Sequence, residues 1–441
     1  MGDEARCERW AAFGNGLALR LALGLVIALA AAALGAEPPT VAVSDEEGAA
    51  GRVGAPVAAE VALPEELVAA AKANRLTLAE VGAAEAKPFP AQFEPGAADA
   101  AKGTLRWLMP ALRQAQGGLS LPKAAGPKGQ RRFRLEATAD APKSALAVAL
   151  DEATQAVNIT EGGQPVLRYS FGTVPVPKGV GGIYAVARSD YVHPLYGPAG
   201  EVLTRDYPSE HPHHRGLYWA WPEVAWKGET LDLHALQGVF ARPVRIVRME
   251  GGPVAAAIVA ENKWMWHDKE PIVSEVATVR AFAQRDGSRF VDLEFQFRAL
   301  VDGVTVARRG QNAYGGFNLR FSTREGQKIA SFNAPAGAPV PTSWGHIVGV
   351  PPEGKEPIGV AILQNEANPR HPGDWVSYPD LNWLQPTFPS KGEKFPLSKA
   401  EPLRLAYRLW VHRGDATEQV LADEWLAYSR PPREAVKPAA P

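Results

Sequence analysis

Between Val291 and Arg298 the chain alternates without a break. Val291, Leu293, Phe295 and Phe297 fall on one side, and Asp292, Glu294, Gln296 and Arg298 on the other. A period of two marks a strand with one face buried, because successive side chains point to opposite faces of a sheet. The same pattern recurs at Phe133, Leu135 and Ala137, and at Leu405, Tyr407, Leu409 and Val411. Val244–Met249, Ala255–Ala260 and Ile272–Phe282 also read as strands. Turn residues separate them: Gly251-Gly252-Pro253, Arg285-Asp286-Gly287 and Val301-Asp302-Gly303. Many strands with such punctuation predict a mainly β protein, built as an antiparallel β-sandwich or supersandwich.

Helix signals are few. Pro64-Glu65-Glu66 opens a short pattern through about residue 71. Asp415-Ala-Thr-Glu418 reads as a capping box ahead of Val420, Leu421, Trp425 and Leu426, which predicts a helix over 416–429. Pro431-Pro432 stops it, and the Pro/Ala-rich residues 431–441 read as a disordered tail. Residues 40–137 form their own set of alternating segments, broken by Gly/Pro/Lys-rich stretches such as Gly117–Lys128. They read as a small β-sandwich module, separate from a main domain over 145–430.

Arg6, Arg9 and Arg20 precede an apolar run, Leu21–Leu34, which ends in Gly35-Ala36. The run is shorter than the ~20 residues of a membrane span. Residues 1–36 therefore read as a signal peptide, with export to the periplasm or the extracellular space and a membrane partner only if the segment stays uncleaved. Cys7, the single cysteine, lies inside it, so the rest of the chain has no thiol chemistry. The net charge of −1 and the lack of a recurring basic block argue against nucleic acid as a partner. The twelve tryptophans suit stacking on sugar faces and serve equally as core filling.

The chemistry concentrates in Asp206-Tyr-Pro-Ser-Glu-His-Pro-His-His-Arg-Gly-Leu-Tyr-Trp219. His211, His213, His214 and Arg215 are candidate catalytic groups; His193, Arg205, Asp206 and Trp219 are candidate substrate contacts. In an extended segment His211 and His213 share a face and His214 points away. Three chemistries fit: a metal held by imidazoles, histidines satisfying buried carbonyls, or an organic-ligand pocket with a proton-shuttling histidine and an arginine on an oxyanion. No cofactor is expected, with a divalent metal at His211 and His213 as the alternative. Glu275 shares the parity of Val273, Ala277 and Val279, which turns a carboxylate inward and makes it a candidate base or partner of Arg215. Asn368, Arg370, His371 and Trp375, on a Pro/Gly-shaped loop after the apolar segment Ile358–Leu363, read as a binding lip; Asn312 is a further candidate. No Walker loop, Gly-x-Gly-x-x-Gly, His-Glu-x-x-His or Gly-x-Ser-x-Gly occurs, which removes support for nucleotide chemistry, common zinc proteases and α/β-hydrolases.

His193-Pro194, Thr204-Arg-Asp-Tyr-Pro208, His211-Pro-His-His-Arg-Gly216 and Asn368-Pro-Arg370 with Trp375 resemble a family of secreted bacterial proteins labelled "methane oxygenase PmoA". The resemblance covers about 145–430 and leaves out the N-terminal module. It departs after Trp221, where Lys227-Gly-Glu-Thr-Leu-Asp232 stands in place of a Gly-x-x-Phe-Trp-like ending. The label implies a bundle of membrane-spanning helices, whereas this strand-rich chain has one apolar stretch at its start. The architecture is similar instead to the galactose-mutarotase-like supersandwich, whose members place histidine, arginine and a carboxylate in an open cleft and act on sugars. This resemblance implies a carbohydrate ligand and an epimerase, lyase or hydrolase. The alternatives are a non-catalytic glycan-binding protein and a histidine-ligated copper or zinc oxidase-like protein.

Overall fold

A computed structural model describes residues 40–44, 54–82, 87–110, 130–142, 145–310, 314–431 and 433–437. The proposed signal peptide and Asn312 lie outside the described residues. The protein is mainly β, with antiparallel sheets. It divides into two compact units, with the change at Lys143/Ser144 and Pro431–Pro441 grouped with the first.

The first unit has one seven-stranded sheet. In spatial order its strands are Pro56–Ala62, Lys102–Leu108, Phe89–Pro95, Leu76–Glu80, Gln130–Ala137, Thr40–Ser44 and Arg433–Lys437. Val57, Ala59, Leu76, Leu78, Leu105, Trp107, Phe133 and Leu135 form its core, together with Leu67 and Ala70 of the helix Glu65–Lys72. The tail corrects the sequence reading. Arg433–Lys437 pairs antiparallel with Thr40–Ser44 as an edge strand. Composition alone cannot register a short segment whose order comes from pairing with a strand nearly 400 residues away.

The second unit contains two eight-stranded sheets packed face to face. The short-stranded sheet runs Trp375–Tyr378, Trp383–Pro386, Gly316–Arg320, Leu217–Ala220, Tyr191–Leu195, Gln164–Ser170, Ala156–Glu161, Leu146–Asp151. The long-stranded sheet runs Val239–Glu250, Ala255–Trp266, Glu270–Phe282, Ser288–Ala299, Leu403–Arg413, Ile358–Gln364, Ser343–Val350, Glu325–Asn333. A four-stranded sheet, Glu229–Leu231, Glu223–Trp226, Thr305–Ala307 and Lys394–Pro396, completes the unit.

Aromatic pairs from the two large sheets fill the space between them: Trp219 on Phe295 (4.1 Å between centroids), Phe317 on Tyr407 (4.9 Å) and Trp221 on Phe297 (5.1 Å). This is where the alternating Val291, Leu293, Phe295 and Phe297 are buried. The opposite face of that strand is also covered in part. Asp292 pairs with Arg408 at 2.6 and 2.8 Å, and Tyr428 of the C-terminal helix lies over the guanidinium at 4.6 Å. That helix spans Glu418–Ser429 and packs Leu421 and Trp425 on Trp344, Ala361 and Leu363. Its cap is Thr417, two residues past the expected Asp415, and Thr417 accepts from the Val420 amide. Between Glu270–Phe282 and Ser288–Ala299 the hairpin turns on Asp286 (φ +48°) and Gly287 (φ +74°). Both lie in the left-handed region that this tight turn demands, which explains the Asp-Gly signal in the sequence.

Candidate functional site

The segment before Leu217 is not extended. The His211 amide donates to the Pro208 carbonyl (3.0 Å), and the His214 amide donates to the His211 carbonyl (2.9 Å), so two turns follow one another. The second turn lays the His211 ring parallel on His214, 4.9 Å between centroids and 18° between planes. His213 stands edge-on to both, 4.5 Å from His214 and 5.9 Å from His211. The alternation expected of an extended segment, with His214 facing away, is therefore replaced by three rings gathered on one side. Gly216 lets the chain leave the turns for the sheet: a Cβ there would meet the Val192 carbonyl oxygen at 2.3 Å.

A fourth imidazole completes the group. His234 lies 5.3 Å from His213 and 5.5 Å from His214, centroid to centroid. It follows Asp232, whose carboxylate accepts from the Ala235 amide (2.7 Å), and its own carbonyl accepts from Arg188 (2.8 Å). The Tyr218 hydroxyl sits 2.9 Å from His234 Nε2. Trp383 packs on His214 (4.7 Å) and His234 (5.7 Å), Tyr314 on His234 (5.0 Å), and Tyr378 stacks on Trp383 (5.1 Å). The exposed Tyr184 ring lies 5.2 Å from His213 and forms the outer wall. Among the described residues, His213, His214 and His234 each offer a donor atom such that all lie within 4.8 Å of one another.

Burial holds all four rings neutral. It pushes His213 down to about 3, and sends His214 and His234 well below the usual range, each further depressed by neighbouring imidazoles or arginines. His211, the most open of the four, is lowered by the same cause and by Arg320. Nδ1 of His211, His213, His214 and His234 is buried without a hydrogen-bond partner. So are Nε and Nη1 of the wholly buried Arg320, whose Nη2 bonds Glu210. Glu210 also receives Arg205 at 3.0 Å.

Arg215 does not hold an oxyanion here, because its guanidinium is committed. It donates to the carbonyls of Pro212, of His214 (2.8 Å) and of Val186 (2.9 Å), lies 3.3 Å over the Tyr207 ring, and is fully buried. Asp206 sits 3.4 Å from Arg215 Nε and accepts from the Tyr191 hydroxyl (3.1 Å). Arg215 thus shapes the histidine turns from beneath. His193 Nδ1 is 2.9 Å from the Thr204 hydroxyl.

Glu275 is turned inward as the parity predicts, but to the other side of the short-stranded sheet. The Trp219 indole donates to one of its oxygens and the Trp264 indole to the other (2.6 Å). Trp219 and Tyr218 are consecutive in one strand and point to opposite faces. Glu275 therefore belongs between the sheets, while the histidines stand on the outer face, and the shared pocket expected of them does not form. Its neighbour is Asp190, which accepts from Tyr169 (2.7 Å) and Asn262 (2.9 Å). Burial first, and the Asp190 charge second, raise Glu275 well above the ordinary carboxylate range.

The second loop does not supply the rim expected of it. Asn368 clamps Ala406 of the long-stranded sheet through both amide and carbonyl (2.9 and 2.7 Å). Arg370 pairs with Glu393 (2.8 Å), and His371 stacks on Trp425 (5.9 Å). The Trp375 indole donates to Asn333 (3.0 Å), and its ring fills the space that a side chain at Gly345 would need. Trp375, Asn333, Phe332, Arg308 and Asp374 line a separate open groove. The aromatic wall of the histidine cluster comes instead from Tyr314, Tyr378 and Trp383. Tyr378 and Trp383 follow this loop in sequence, three and eight residues past Trp375 on the chain's return into the sheet, and their position gave no sign of the histidines they pack on. His234 carried no spacing signal, and Tyr218 was legible only as part of the aromatic end of the Asp206–Trp219 run.

Residues 156–426 match the family described as "Family of unknown function (DUF6807)". The chain belongs to this family. The match lies within the second unit and includes every residue of the histidine cluster and its walls. No curated protein matches the chain. Among solved structures, a chain titled "Polysaccharide Lyase" is similar at 10% identity with a TM-score of 0.26, covering 65% of this chain and 35% of its own length. The protein thus spans about a third of that relative.

Proposed function

We propose that the second unit is an exported carbohydrate-active domain that binds a sugar on the histidine face and processes it as an epimerase, lyase or hydrolase. One observation carries this reading: His213, half-buried and neutral, stands between the exposed Tyr184 ring and the buried His214–His234 pair. The neutral imidazole offers a hydrogen-bonding partner for a sugar hydroxyl, and the aromatic ring beside it offers a face for a sugar to stack on. The buried guanidinium of Arg320, whose charge bears on the histidine rings, provides a cationic field that favours a carboxylate or developing oxyanion beside them. Arg320, rather than Arg215, fills that role in this reading, and Glu275 has none.

A second reading, a glycan-binding domain without catalysis, draws on the groove lined by Phe332, Asn333, Asp374 and Trp375. A glycan array followed by product analysis, on wild type, His213→Ala and Trp375→Ala, separates the two. Loss of binding and of product in His213→Ala supports the histidine face. Binding without product, lost only in Trp375→Ala, supports the groove. Absence of any glycan binding sinks both.

A further inference from the structure

We propose that His213, His214 and His234 together bind one divalent first-row transition metal ion of the zinc or copper class. The three imidazoles come from two separate turns, around His211–His214 and Asp232–Leu236, and meet with donor atoms mutually within 4.8 Å. Three nitrogens around a tetrahedral ion with bonds of about 2.05 Å stand about 3.3 Å apart, so closing on an ion takes side-chain shifts on the order of an ångström.

Two further observations point to a ligand rather than to packed rings. Nδ1 of each of the three is buried and unpartnered, which is costly for a polar atom with nothing to bond. His234 is held at its other nitrogen by Tyr218, at 2.9 Å. The tautomer that donates Nε2–H to Tyr218 frees the lone pair of Nδ1, and such an outer contact orients metal-binding histidines. Arg188 ties down the backbone of His234 as well.

The donor set chooses the ion. Among the described residues the group has three imidazoles and no carboxylate. Magnesium and calcium require oxygen ligands, whereas imidazole suits zinc, copper and nickel. Three protein ligands leave a fourth position open. Arg188 and Arg320 act on the same rings electrostatically. Their repulsion lowers affinity for the ion alone and favours an anionic fourth ligand, such as hydroxide or a carboxylate. The set differs from the His211–His213 pair expected from sequence. His211 lies flat on His214, and stacked rings direct their nitrogens along parallel planes rather than toward one point.

The inference does not rest on the carbohydrate reading, since the metal alone is the probe. The full chain, free of any affinity tag, is stripped with chelator, loaded separately with Zn²⁺, Cu²⁺ or Mg²⁺, desalted, and assayed for bound metal. Wild type and His193→Ala are expected to retain one equivalent of Zn²⁺ or Cu²⁺ and no Mg²⁺. His234→Ala is expected to bind roughly 100-fold or more weakly. Retention of no metal by wild type, or equal retention by His234→Ala, overturns the proposal. Should His234→Ala fail to fold, pulsed electron paramagnetic resonance of Cu²⁺-loaded wild type counts the ligands directly. Three coordinated imidazoles support the site, and two or fewer overturn it.

Discussion

Tyr218 and Trp219, adjacent in one strand, serve opposite faces of the same sheet: the Tyr218 hydroxyl lies 2.9 Å from His234, and the Trp219 indole bonds the buried Glu275. The strand thereby joins the open histidine face to a closed polar network between the sheets.

The inner network predicts a pH effect on stability. Glu275 is raised above its ordinary value of 4.5, so the folded state holds its proton more tightly than the unfolded state. The stability it contributes is complete below 4.5 and is lost as pH rises through the folded value. Glu275→Gln removes this titration while keeping the shape. One indole loses its acceptor, at a cost of about 1–3 kcal/mol at low pH. Denaturant melts from pH 4 to 9 should show the gap between wild type and variant narrowing as pH rises. A constant gap would refute the assignment.

Arg215 predicts a structural phenotype. Its contacts with three carbonyls and Tyr207 hold the histidine turns, and lysine cannot reproduce a planar fork of donors. Arg215→Lys is expected to destabilise the second unit by about 2–4 kcal/mol, in keeping with removal of a buried, hydrogen-bonded cation. Chemical denaturation measures this; a change below about 0.5 kcal/mol, the range of ordinary surface substitutions, would contradict it.

His346 and His412 predict the opposite pH response from Glu275. Their Nε2 atoms are 3.1 Å apart, so one ring donates and the other accepts. Burial pushes both down to about 4. A depressed folded value means stability that is present above 6.5 and lost as pH falls toward 4, where both nitrogens become donors facing each other. His346→Gln should flatten the stability profile between pH 6.5 and 4. An unchanged acid limb would show that the pair contributes nothing to it.

The fold was largely legible where one face is buried against the other sheet. Phe295 and Phe297 alternate with polar residues because one side meets Trp219 and Trp221. Legibility ended where order comes from distant partners, as in Arg433–Lys437, and where local turns override parity, as at His211–His214. Glu275 was rightly turned inward, but parity names a face of its own strand and not which neighbouring layer that face meets. His234 was hidden because a single histidine in Leu231-Asp-Leu-His-Ala has no pattern.

Tyr218 gives the last prediction, one that follows from the proposed metal site. Removing its hydroxyl leaves a ring that still packs near His214 (6.5 Å) and under Arg188 (4.6 Å), so Tyr218→Phe should fold normally. It leaves His234 Nε2 without the partner that fixes its tautomer. Loss of such an outer contact lowers metal affinity by about 10- to 100-fold while every ligand stays in place. Competition titration of Zn²⁺ against a chromophoric chelator, beside a thermal melt of the metal-free protein, reads both quantities. Weaker binding with an unchanged melt assigns Tyr218 to positioning His234; unchanged binding would mean that the hydroxyl only fills the hydrogen-bonding needs of a buried ring.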